Sequence, residues 1–366
     1  MLMLDTSIEV LKKIEEHSFK AYIVGGFVRD YVLNIPSIDV DICTNATPKE
    51  LLQIFDNAIP NEEYGSVRLV YKKVTFEITT FRKETKYIDH RKPLEIEYID
   101  DLKQDLLRRD ITINTLCMNS DGKIIDVLGV MQDLKNKVIK VVGDANKKLE
   151  EDALRILRCI RFATKLNFKI DYKTSQAIKK NRHLLKKLSY KRKKDELDMI
   201  FASKNSKYGI SLIKKYGLDK PLELKNIKRL KLVDDVLGIW AQLDVLDNYQ
   251  FNKRETEIIT QIEKIISNKL DCSDEYIIYK YGGYITTIVA KIKGVKVDKI
   301  SSIYENLDIY NRSEINITGD KIIELLDTKP GKWVSEVIKD IEKQIVYKKI
   351  KNTEDNIKQY IIKKYK

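Results

Sequence analysis

The chain has 366 residues, too many for one ordinary hydrophobic core, so two or more domains are expected. Hydrophobic residues make up 43% and charged residues 34%, no apolar run reaches transmembrane length, and the amphipathic start "MLMLDTSIEVLKKIEEHSF" lacks signal-peptide features; a soluble, cytoplasmic protein with no membrane partner is expected. The net charge of +13 points to a polyanion, nucleic acid first, although Ile, Lys, Asn and Tyr are abundant throughout and part of the excess is compositional. Cys43, Cys117, Cys159 and Cys272 are scattered without a CxxC pair, which argues against a zinc site or a disulfide framework.

From about residue 20 to 142, short β-branched runs alternate with helical patterns, as in a small mixed sheet with helices. "VGGFVRDYVLNIPSIDVDICT" reads as strand, Gly-Gly turn, helix and second strand. Gly25 and Gly26 at such a turn let the backbone approach a phosphate, and Arg29, one turn into the helix, adds a cation. Asp39 and Asp41 are two apart on "IDVDI", so a strand sets both carboxylates on one face while Ile38, Val40 and Ile42 point to the core. That pair reads either as an exposed polar face or as ligands of a hard cation such as Mg²⁺. Glu77 in "TFEITTF", on a neighbouring strand, is a candidate third carboxylate for a two-metal centre. From about residue 147 onward the pattern is nearly all helical. In "EEDALRILRCIRF" one helix is expected to carry Glu151, Asp152, Arg155 and Arg158 on a polar arc, with Arg161 at its edge. By itself this arc is either a solvated, ion-paired face or a recognition surface.

Gly-Gly, then D-x-D, then an acid on a later strand resembles the nucleotidyltransferase superfamily of DNA polymerase β. Closer still are class II tRNA nucleotidyltransferases and bacterial poly(A) polymerases. "KYIDHRKP" looks like the family's flexible loop, and "DLLRRDITINTL" like its RRDxTIN motif, through Arg108, Arg109, Asp110 and Asn114. "EEDALRILRCIRFATKLNF" is similar to its EDxxR segment, and "KRKKDELDMIF" to its R-x-x-x-E-L helix, through Arg192 and Glu196. These motifs span about residues 20 to 205 in the family's order.

The resemblance gives the EDxxR segment a purpose. Cytosine and adenine each present an exocyclic amine donor beside a ring-nitrogen acceptor, whereas uracil and guanine present the reverse order. One carboxylate and one guanidinium side by side therefore admit C and A and reject U and G. The resemblance implies this role for Asp152 and Arg155, with Glu151 orienting the arginine. It further implies that Arg109, Arg158 and Arg161 hold triphosphate or ribose, and that Asp39 and Asp41, helped by Glu77, hold Mg²⁺. "INITGDKIIELLDTKPGKWVSEVIKDIEKQIVYKKIKN" resembles the family's C-terminal tail, which is expected to grip tRNA through lysines such as Lys348, Lys349 and Lys351. His17, His90 and His183 need no catalytic role.

The expected fold is α+β: a polymerase-β-like α/β head with a small mixed sheet, followed by an elongated all-α neck, body and tail. The expected boundaries are head 1–142, base-recognising neck 143–205, body 206–275 and tRNA-binding tail 276–366. The expected activity is template-independent addition of CCA to the 3′ end of tRNA from CTP and ATP, with release of pyrophosphate. A CC-adding enzyme, an A-adding enzyme and a poly(A) polymerase are the rivals. A non-catalytic RNA-binding protein built on an inactive head is the rival from another class.

Overall fold

The computed structural model describes residues 2–61, 65–88 and 92–366, without the side chains of Leu2, 84–88 and 92–95. The described chain forms two compact units, Met1–Leu224 and Lys225–Lys366, dividing within the stretch assigned above to the body.

In the first unit α1 (Leu2–Glu15) buries Val10, Leu11 and Ile14 at helical spacing. The strands β1 (Ala21–Val24), β2 (Val40–Thr44), β3 (Ile59–Asn61), β4 (Ser66–Tyr71), β5 (Val74–Thr80), β8 (Cys117–Met118) and β9 (Ile124–Ile125) form one sheet in the order β3-β4-β5-β2-β1-β8-β9. The sheet is mixed, because β2 runs parallel to β5 and antiparallel to β1. The helix α2 (Gly26–Val32) follows β1 directly, and α3 (Pro48–Ile54) follows β2 behind a Thr47–Glu50 capping box. Val24, Cys43, Phe81, Leu106 and Cys117 close the core beneath one end of β1.

The D-x-D stretch departs from a plain strand. β2 begins only at Val40, so Ile38 and Asp39 both precede the strand and only Asp41 of the two acids lies in it; Ile38 is 78% exposed instead of buried, while Val40 and Ile42 do face the core. The stretch resembling a flexible loop lies mostly in an antiparallel hairpin of β6 (Arg82–Ile88) and β7 (Lys92–Tyr98), and its residues 89–91, His90 among them, lie outside the described residues. After it come α4 (Leu102–Leu107), a 3₁₀ turn Thr112–Asn114, α5 (Met131–Lys135) and β10 (Val138–Ile139).

The single helix expected across "EEDALRILRCIRF" is two helices. α6 (Ala145–Glu151) stops at Asp152, whose backbone is extended (φ −136°, ψ 99°), and α7 (Leu154–Leu166) starts afresh. The Asp152 carboxylate accepts from Leu154 N at 3.0 Å, the capping bond that makes aspartate a better helix start than a helix interior. Short β11 (Lys169–Ile170) then pairs parallel with β10, and α8 (Tyr172–Asn181), α9 (Tyr190–Phe201), α10 (Ser206–Tyr216) and α11 (Asp219–Leu222) complete the unit.

The second unit is helical: α12 (Val236–Trp240), α13 (Lys253–Ser267), α14 (Glu275–Lys293), α15 (Val297–Glu305), α16 (Gly319–Leu326), α17 (Trp333–Val346) and α18 (Glu354–Tyr365). Trp240, fully buried, meets Tyr249 and Phe251 at ring distances of 4.9 and 5.5 Å. α14 kinks at Gly282, where φ is +79°. Asp340 on α17 accepts from Tyr360, Lys364 and Tyr365 at 2.6 to 2.8 Å and fastens α18 to it.

Candidate active site

Asp39 and Asp41 sit where two cavities of the first unit meet. One, about 820 Å³, continues past Glu77, Ser66 and Arg68. The other, about 460 Å³, runs from Gly25 and Gly26 past Arg109 and Asp110 to Asp152, Arg155, Arg158 and Arg161. The parallel register sets Asp41 opposite Glu77, so the two side chains leave the same face of the sheet. Glu77 also accepts from Ser66 Oγ at 3.3 Å. Burial raises the Asp41 pKa, Arg109 opposes that shift, and the charges of Glu77 and Asp39 add to it.

Crowded anions with oxygen-only donors fit a hard divalent cation. Among the described residues no three acidic, histidine or cysteine side chains are grouped to hold a metal by themselves.

Gly25 is required on two counts. Its backbone lies at φ +82°, and a Cβ there would stand 3.3 Å from Asp41 Oδ2 and 3.7 Å from Arg109 Nη1. Gly26 opens α2, and its own Cβ would lie 3.6 Å from Arg29 Nη2. Arg29 lines the cleft but is 1% exposed. Its guanidinium is held by Asp30 at 2.7 Å and donates to Asn114 Oδ1 at 2.5 Å. Asn114 in turn reaches Asp110 at 3.4 Å, so Arg29, Asn114 and Asp110 form one buried chain of contacts.

The arginines of α7 keep a common face at three-residue spacing. Arg158 pairs with Asp110 through both Nε and Nη2 at 2.7 Å. Burial would raise the Asp110 pKa, but this pairing outweighs it and holds the group at about 2. Arg161 pairs with Glu196 of α9 at 2.7 Å. Arg155, 5% exposed, donates to the Arg108 carbonyl at 3.1 Å, and its Nε lies 3.8 Å from Asp152 Oδ2. Burial pushes the Asp152 carboxyl up to about 6, against the pull of Arg155. Carboxylate and guanidinium thus stand side by side at the cleft wall, with Asp152 supplied by the break between α6 and α7. Glu151 lies 3.8 Å from Lys148 and is not among the residues that line the cleft.

Several lining residues escaped the sequence reading. Phe162 lies under three guanidiniums, with ring-centroid distances of 4.1 Å to Arg161, 5.3 Å to Arg29 and 5.7 Å to Arg158. Its position four after Arg158 and one after Arg161 was the available signal. Asp30 joins Arg29 to Lys165, which is 3.5 Å away. Glu196 was visible through the R-x-x-x-E-L pattern and Arg161 through the EDxxR segment, but their pairing was not. His17 and His183 lie outside the cleft and contact backbone carbonyls of Lys13 and Lys180. All four cysteines are buried free thiols.

The Poly A polymerase head domain family matches residues 21–140, and the tRNA nucleotidyltransferase domain 2 family matches residues 241–361. The CCA-adding enzyme of Ligilactobacillus salivarius is 36% identical over 95% of this chain and 94% of its own. That of Streptococcus uberis is 34% identical over 98% and 96%. The crystal structure of the Bacillus stearothermophilus CCA-adding enzyme in complex with CTP superposes with a TM-score of 0.86 at 26% identity, covering 98% of this chain and 96% of that one. The likeness runs along nearly the whole chain, and the chain belongs to the CCA-adding enzyme family.

Proposed function

We propose that this protein completes tRNA 3′ ends, adding C, C and A in turn from CTP and ATP without a nucleic-acid template. The observation that carries this reading is the single cleft in which Asp39 and Asp41 at one end adjoin the Asp152–Arg155 pair at the other. It is supported by the likeness to CCA-adding enzymes over nearly the whole chain.

The terminal ribose hydroxyl of the tRNA attacks the α-phosphate, a new P–O bond forms, the bond to the β-phosphate breaks, and pyrophosphate leaves. Asp39 and Asp41 hold a divalent cation, Mg²⁺ in our reading, with Glu77 assisting from the adjoining strand. When bound, that ion lowers the pKa of the attacking hydroxyl and stabilises charge on the phosphoryl oxygens. Gly25 and Gly26 bring the backbone up to the phosphates, and Arg109, with Arg158 and Arg161, supplies charge-assisted donors for triphosphate and ribose. Asp110, Asn114 and Arg29 hold that cationic wall in place. Asp152 accepts from the exocyclic amine of C or A while Arg155 donates to the ring nitrogen; U and G leave both groups unpaired. Glu151, at the end of α6, acts on Arg155 from outside the cleft lining.

In this reading residues 1–142 are the catalytic head, 143–205 the base-recognising neck, 206–275 the body and 276–366 the tRNA-binding tail. Lys348, Lys349 and Lys351 are exposed on the second unit, where they suit tRNA phosphates. Among the described residues no helix is long and apolar enough to cross a membrane. We place the protein in the cytoplasm, where its substrates are.

Purified protein with Mg²⁺ and a tRNA transcript lacking its last three nucleotides tests the proposal. Two additions with CTP alone, and a third only when ATP joins, is the expected product ladder. Stopping after two with both nucleotides present means a CC-adding enzyme, and a long ladder with ATP alone means a poly(A) polymerase. Extension by ATP only of a transcript already ending in CC means an A-adding enzyme. No extension of any substrate leaves an RNA-binding protein.

A further inference from the structure

We infer that Asp105, a residue of α4 outside the cleft lining, is the positioning residue that sets Arg109 opposite Asp41; the functional meaning rests on the proposal above. The Asp105 side chain is wholly buried. Its Oδ1 accepts from Arg108 Nε at 2.8 Å and from Arg82 N, at the start of the β6–β7 hairpin, at 3.2 Å. Its Oδ2 lies 3.3 Å from Arg109 Nη2.

Two observations show that Arg109 is held from behind and presented forwards. Its Nη1 approaches the same point beside Gly25 as Asp41 Oδ2, so the guanidinium edge away from Asp105 faces the catalytic acids. Among the described residues its buried Nε has no hydrogen-bond partner, and the contact from Nη2 to Asp105 fixes the fork from behind. The Arg109 side chain is partly buried, and a guanidinium with one side in the protein is held in orientation by a counter-charge there. Burial opposes the charge of Asp105, and the two arginines outweigh it and lower its pKa, so the counter-charge is present at neutral pH. The carboxylate also accepts the Arg82 amide, which ties the root of the β6–β7 hairpin to the same anchor as Arg109.

The chemistry separates positioning from base reading. Arg109 stands by the acids and the phosphate end of the cleft, whereas Asp152 and Arg155 stand at the base end. Loss of Asp105 should therefore slow transfer of CTP and ATP alike and leave the choice of nucleotide unchanged.

The test is a double-mutant cycle of Asp105→Asn and Arg109→Ala, read with CCA-less tRNA and each nucleotide, beside a crystal structure of Asp105→Asn. Asp105→Asn is expected to lower kcat about tenfold to a hundredfold for both nucleotides, as a misplaced catalytic contact does, with KM for tRNA unchanged. In the Arg109→Ala background it should lose nothing further, because it acts through that arginine. In the crystal structure the Arg109 guanidinium should have turned away from Asp41. Additive losses, an effect on one nucleotide only, or an Arg109 that keeps its place would each overturn the inference. Should Asp105→Asn fail to fold, Asp105→Ser, which leaves room for a bridging water, is read in the same way. If the wild-type protein extends no tRNA, the proposed function falls, while the Arg109 position in the variant crystal still decides this inference.

Discussion

Around the cleft of residues 1–224 arginines pair with acids that are nearly or wholly buried: Arg158 with Asp110, Arg161 with Glu196, Arg109 with Asp105. In residues 225–366 most ion pairs are made by lysines with both partners substantially exposed, such as Lys225–Asp244 and Lys321–Glu354. The same charges serve different ends in the two regions. A planar guanidinium locked by a buried carboxylate keeps its remaining donors aimed, whereas a hydrated ammonium on a flexible stem offers charge without direction. The first arrangement suits a site that must orient a reacting phosphate. The second suits a surface that must attract a polyanion without reading it.

If that contrast is right, perturbations should be severe and specific in the first unit and mild and general in the second. Asp41→Ala or Asp39→Ala should reduce nucleotide transfer more than a thousandfold, with tRNA binding in a filter assay nearly intact. Loss of tRNA binding alongside activity would make these acids structural. Arg155→Ala should narrow the preference for CTP and ATP over UTP and GTP by roughly ten- to a hundredfold, measured as a ratio of kcat/KM values. An unchanged ratio would sink the base-reading assignment.

The pH dependence offers a subtler test. With the Asp152 carboxyl raised to about 6, its acceptor form is lost as the pH falls through that value, so kcat/KM for CTP should decline below pH about 6. That limb should vanish in Asp152→Asn. The same shift has the opposite sign for stability: a carboxylate that binds its proton more tightly when folded lowers stability as the pH rises from about 4 to about 6. Asp110, held at about 2, contributes stability above about 4 that is lost as the pH falls towards 2. The smallest effect belongs to the second unit. Asp340→Asn, which weakens three bonds that fasten α18, should cost about 1 kcal/mol, and faster amide exchange should appear first in α18. A larger loss, spread over the whole chain, would mean that the second unit too depends on a buried charge.

Much of this was legible in the residues, for physical reasons that differ by position. The order of strand, Gly25-Gly26, α2 and β2 followed from alternating burial and turn chemistry, and the acids Asp39 and Asp41 from their spacing. Glu77 needed a strand pairing that sequence only suggests; the register opposite Asp41 appears in the folded sheet. The break at Asp152 was hidden because the apolar positions on either side keep helical spacing, so a wheel drawn through them looks continuous. What interrupts it is one side chain bonding its own backbone two residues on, a local competition that periodicity does not register. Ile38 misled for the complementary reason: alternation was extended two residues beyond the point where the strand starts. Asp105 gave no signal, being one acid among many in a short amphipathic helix until its two arginine partners are seen around it.

The torsions at Gly25 carry a further meaning. A backbone at φ +82°, ψ −135° is the mirror image of an ordinary extended conformation, the one that a residue of opposite chirality adopts without strain. An L-alanine there meets two obstacles at once, the torsion and the approach of its methyl to Asp41. A D-alanine introduced by chemical ligation adopts the torsion without strain, and its methyl leaves the opposite side of Cα from the one that approaches Asp41. Glycine at this turn is therefore the genetically encoded substitute for a right-to-left inversion of handedness, made beside Asp41.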